Sequence, residues 1–65
     1  MKYALIYLWY QPFLFKKDKN NWINLDQSTA LSFVSELWIN HSVHNNPNDK
    51  FLSKEEFDEW LIKLL

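Results

Sequence analysis

The residues best suited to chemistry in this chain make contacts rather than bonds. Tyr7, Trp9, Tyr10, Phe13 and Phe15 lie close together near the start of the sequence. Rings of this kind bring large rigid area, and Tyr and Trp add a polar tip, so they concentrate binding energy at protein interfaces. They are candidate partner-binding residues. Glu55 and Glu59, with Asp49, Glu56 and Asp58 nearby, form an acidic set that could meet a basic surface. The same set also reads as the solvated face of a helix. Material for catalysis is thinner. A nucleophile needs a neighbouring base and a third group to orient it. Ser28, Ser32, Ser35, Ser42 and Ser53 read instead as caps or exposed helix residues. With no Gly in the chain, no known phosphate-cradling loop can be written. No catalytic residue is assigned, and the expected function is non-enzymatic.

Oxygen-bearing residues recur from Asn45 to Glu56. Asn45, Asp49, Ser53 and Glu56 fall on the first, fifth, ninth and twelfth positions of that stretch, with Leu52 on the eighth and Phe57 just after it. The stretch resembles an EF-hand calcium loop. The resemblance implies a degenerate calcium- or metal-binding helix-loop-helix as the alternative function. Two residues depart from the pattern. Pro47 stands at the third ligand position, and Lys50 replaces the Gly of the sharp turn while adding positive charge. Ser53 and Glu56 also spell a capping box, which explains both without an ion. His41 and His44, three apart, could begin a zinc site together with Asp49, but no further ligand set accompanies them. A His near a helix C-terminus also complements the carbonyl dipoles. No metal ligand and no cofactor are assigned.

The elements that must position these residues follow from periodicity. Tyr3–Tyr10 is apolar on both alternating faces, as a strand covered on two sides would be. Pro12 should end that strand or lie at an edge. Phe13–Phe15 either extends it or begins another. Lys16–Asn21 reads as a polar turn whose Asn residues take the left-handed conformation that absent Gly would supply. Trp22–Leu25 alternates as a short returning strand. Asp26 or Ser28 can cap a helix to about Asn40, striped by Leu31, Val34, Leu37 and Trp38. His41–Lys50 is then a polar connector. The Ser53–Glu56 capping box opens a last helix striped by Phe57, Trp60, Leu61 and Leu64. The expected fold is α+β: a small antiparallel sheet of two or three strands from the N-terminal half, packed against two C-terminal helices.

The chain has 65 residues, 48% of them hydrophobic, with four Trp, three Tyr and five Phe. Residues 1–65 read as a single small interaction domain. At this size only roughly 60% of the chain's surface is buried on folding, so some rings should be left for another molecule or for a homodimer. No Cys is present, so neither a disulfide nor a thiolate metal site supplies stability. The net charge is −1, with seven Lys and no Arg. That balance argues against nucleic acid, because general attraction needs a basic excess and Arg is the usual reader of guanine and phosphate. Met1-Lys2 and the apolar run after it imitate a signal peptide, but no small-residue cleavage site follows. Tyr3–Phe15 is too short for a bilayer, which takes about 20 apolar residues. A cytoplasmic location is expected, with no membrane partner. Abundant Asn, Lys, Ile and Leu suggest an A+T-rich source such as some bacteria and their phages. The expected context is therefore a phage- or mobile-element-encoded inhibitor of a host or defence protein.

Overall fold

The computed structural model describes residues Met1–Leu65. Two hairpins dominate the N-terminal half. Strands β1 (Tyr3–Leu8) and β2 (Gln11–Asp18) pair antiparallel from Tyr3↔Lys16 to Leu8↔Gln11. Phe13–Phe15 therefore lies inside a strand of its own. Strand β3 (Asn21–Asn24) pairs β2 from Phe15↔Asn24 to Asp18↔Asn21. The turn between them is only Lys19-Asn20, and Lys19 (φ 57°) takes the left-handed conformation, where Asn was expected.

Pro12 sits opposite Tyr7 inside β2 and does not end a strand. It is tolerated for a local reason. In an antiparallel ladder, bonded and non-bonded pairs alternate. The closing pair Leu8↔Gln11 makes Tyr7↔Pro12 the non-bonded kind, so the missing Pro N–H would have pointed toward β3. The register with that strand runs from Phe15 onward, and its last backbone bond, from Leu25 N–H, reaches the Leu14 carbonyl and not Pro12.

The two- or three-strand sheet expected from the N-terminal half is corrected by the structure. The sheet has five antiparallel strands in the order β4-β3-β2-β1-β5, although the class remains α+β. One added strand falls within the expected helix, and the other begins at the last residue of the expected connector. β4 (Phe33–Ser35) pairs β3, and β5 (Lys50–Leu52) pairs β1. The helix placed from Asp26 or Ser28 to about Asn40 starts only at Glu36. Helix α1 spans Glu36–Asn45 and is capped by Ser35, whose hydroxyl accepts the Trp38 N–H. The segment before it is a turn organised by Asn24, which is fully buried. The Asn24 amide donates to Thr29 Oγ1 and the Leu31 carbonyl, and its Oδ1 accepts the Asp26 N–H. A buried amide so fully bonded fixes the loop tightly, because leaving such groups unpaired is costly.

Helix α2 (Lys54–Leu64) begins where the capping box places it. Glu56 N–H donates to the Ser53 hydroxyl at 3.1 Å, and Ser53 N–H donates to Glu56 Oε1 at 2.9 Å. The donation from the Ser53 backbone, then that of its side chain, holds the Glu56 carboxyl below its ordinary range. A lowered folded pKa means stability that is present above the ordinary glutamate range and is lost as pH falls through the folded value. Ser53→Ala is expected to cost about 1 kcal/mol at neutral pH, and less at an acid pH below the lowered Glu56 pKa. Urea midpoints of both chains at the two pH values check this; a loss of equal size at both would refute it.

The two helices cover opposite faces of the sheet. Ile39 of α1 joins Ala4, Ile6, Phe13, Phe15, Trp22 and Val34 in the larger core. Phe57 of α2 joins Leu5, Leu14 and Leu52 in the smaller one. Even residues of β1 thus face α1 and odd residues face α2, which is why the strand is apolar on both sides. Trp22 Nε1 is buried without a hydrogen-bond partner. No helix is long and apolar enough to cross a membrane.

Candidate interaction surface

The first hairpin turn is the site where this chain departs most from local preference. Its two central residues are Trp9 (φ 52°) and Tyr10 (φ 65°), both in the left-handed region. A two-residue hairpin favours positive φ at both positions, because that backbone matches the twist of the flanking strands. Asn-Gly or Asp-Gly usually fills them. For an L-residue with a bulky side chain the same conformation costs roughly 1–2 kcal/mol.

Burial does not offset this cost. Trp9 is 65% exposed and Tyr10 101% exposed. The only aromatic contact at the tip is the edge-on approach of Trp9 to Phe13, centroids 6.5 Å apart. Of the chain's rings, only Trp9, Tyr10 and Phe33 are exposed. The tip holds two of them side by side.

Beside the turn lies the loop that joins α1 to β5. Tyr7, Trp9 and Tyr10 form one wall of a groove of about 510 Å³, and Asn46, Pro47, Asn48 and Asp49 form the other. The two walls are tied together. Tyr7 N–H, left free because β5 pairs β1 only through Leu5, donates to Asp49 Oδ1 at 2.8 Å. Asp49 N–H in turn donates to the Asn46 carbonyl at 3.1 Å.

The residues singled out in the sequence are divided by this geometry. Tyr7, Trp9 and Tyr10 come together at the groove. Phe13 and Phe15 point the other way and are buried on the α1 face, with Phe15 6.1 Å from Trp38. Glu55 and Glu59 are exposed on α2 and line no cavity. Asn46, Pro47 and Asn48 were not anticipated as partners of the rings, since nothing local brings residues so distant in sequence together.

The oxygens of the calcium-like stretch are directed elsewhere. Asp49 bonds the β1 backbone and Glu56 closes the helix cap. The Asn45 amide donates to the His41 carbonyl at 2.8 Å. No group of three or more His, Asp or Glu side chains stands where it could hold a metal ion.

A second exposed apolar region lies where α2 leaves the sheet uncovered. Leu14, Leu25, Leu61, Leu64 and Leu65 line a shallow groove of about 340 Å³ there. Phe33 on the edge strand β4 stands exposed on the same sheet face as Ile23.

The chain matches no family model, no curated protein and no solved structure.

Proposed function

We propose that this chain is a non-enzymatic protein-binding module whose contact is the first hairpin, with Trp9 and Tyr10 at its tip and Tyr7 beside them. One observation carries this reading: two large aromatic residues occupy left-handed turn positions and stand in solvent. Folding alone favours Asn-Gly there, so the rings serve something other than the stability of the chain. Exposed Trp and Tyr on a rigid two-residue turn lose little conformational freedom on binding, which favours affinity. The net charge of −1 without Arg favours a protein partner over nucleic acid. A phage- or mobile-element-encoded inhibitor that occupies a host or defence protein fits this mode of action.

The test is affinity capture from a lysate of the source organism or its host, with the wild-type chain and a Trp9→Asn/Tyr10→Gly chain in parallel. Proteins retained by the first and lost by the second are the targets. Identical captures would overturn the proposal.

Self-association is a second reading, favoured by the exposed apolar residues Leu25, Phe33, Leu64 and Leu65. It predicts a dimer mass in sedimentation at micromolar concentration, and a strict monomer would remove it. The calcium-loop alternative predicts that the melting temperature climbs with added calcium, by mass action on the folded state. The expected result is no shift, because Asp49 and Glu56 already bond the backbone.

A further inference from the structure

The groove beside the hairpin contains a carboxylate that the chain does not neutralise. Asp49 is 6% exposed, yet it takes part in neither of the chain's ion pairs, Lys17–Glu36 and Lys54–Asp58. Asp49 Oδ1 accepts the Tyr7 N–H, while Oδ2 is not among the chain's buried unpartnered atoms and reaches solvent. A mostly buried carboxylate with one oxygen open to the groove presents a fixed negative charge to a cation that enters it. The other wall is made of Tyr7, Trp9 and Tyr10. Aromatic faces attract cations through their quadrupole, Trp most strongly, and rings grouped around a pocket are the known means of holding ammonium groups. Two independent features of one groove therefore call for the same ligand. Its volume, about 510 Å³, suits an organic side chain rather than a bare ion.

We infer that this groove binds an alkylammonium group: the end of a lysine side chain, methylated or not, presented by the protein partner. The ammonium sits against Asp49 Oδ2 and the faces of Trp9 and Tyr7. The inference deepens the proposed contact function and rests on it. An Arg guanidinium would meet the same charge and rings, and serves as a comparison in the test.

The test titrates the full chain, labelled with nitrogen-15, with N-acetyl-lysinamide, its trimethyl form, N-acetyl-argininamide and the neutral N-acetyl-norleucinamide. The expected result is a saturable shift of the Trp9 indole N–H and the Tyr7 amide with both lysine probes, and none with norleucine. Asp49→Asn keeps an acceptor for the Tyr7 N–H while removing the charge, and should weaken lysine binding at least tenfold. Trp9→Leu, which leaves Asp49 and its bond in place, should weaken it as well and guards against a folding defect in the first variant. Equal shifts with norleucine, no saturable shift with either lysine probe, tighter binding of the arginine probe, or unchanged affinity in both variants would overturn the assignment. If the lysine probes fail while the Trp9→Asn/Tyr10→Gly chain still loses its captured protein, the contact function stands and only the ammonium assignment falls. If they bind while that chain keeps its partner, the contact function falls.

Discussion

Replacing Trp9 by Asn and Tyr10 by Gly should make this protein more stable and less functional at once. Both positions have positive φ, which Asn tolerates and Gly adopts freely. Relief of the left-handed cost is worth roughly 1–2 kcal/mol per residue. Against it stand the lost edge contact of Trp9 with Phe13, about 0.5–1.5 kcal/mol, and the extra freedom Gly confers on the unfolded chain. A net gain of about 1 kcal/mol remains, which in a domain of this size raises the melting temperature by about 4–8 °C. The same change removes both exposed rings of the tip. Truncating an interfacial hot spot costs at least about 2 kcal/mol, or roughly 30-fold in affinity. Calorimetry and a binding titration on one pair of proteins therefore read the two effects separately. A variant less stable than the wild type would show that the rings hold the fold, and a more stable variant with full affinity would show that they do not hold a partner.

Phe15→Ala should behave in the opposite way, although Phe15 belongs to the same aromatic run. Its side chain is 0% exposed, in the core shared by Ala4, Ile6, Trp22 and Ile39. Removing a buried Phe costs about 3–5 kcal/mol, from lost transfer free energy and from the cavity left behind. Domains are stable by roughly 0.05–0.15 kcal/mol per residue, so a chain of 65 residues has little beyond that to lose. The variant is expected to be largely unfolded at 25 °C, with collapsed amide dispersion in its NMR spectrum. A folded Phe15→Ala chain would mean that the larger core is not organised around this ring. The pair of experiments separates two groups that composition alone cannot divide: rings that build the domain and rings that it displays.

Much of the architecture could be read from local pattern. The capping box marked the start of α2 because its two bonds join Ser53 and Glu56, three residues apart. The two-sided apolar character of Tyr3–Tyr10 announced a strand covered on both faces, and α1 and α2 do cover it, although it ends at Leu8 and Trp9-Tyr10 turn the chain. The excess of rings over interior was also legible, and Trp9 and Tyr10 are where it surfaces.

The remaining elements depend on contacts that no short window contains. β4 and β5 are three residues each and exist because β3 and β1 offer them backbone partners. Leu31, Val34, Leu37 and Trp38 have helical spacing, but only Leu37 and Trp38 are helical. Pairing of Val34 with Trp22, together with the buried Asn24 amide, holds the preceding residues out of the helix. The left-handed turn is set the same way. Both faces of β1 are buried, so slipping the hairpin by one residue would exchange the two cores, and the register Leu8↔Gln11 leaves Trp9 and Tyr10 to make the turn whatever their preference. Capping and alternation act over a few bonds of chain and are written locally; strand pairing and register are decided by the burial of distant residues against each other.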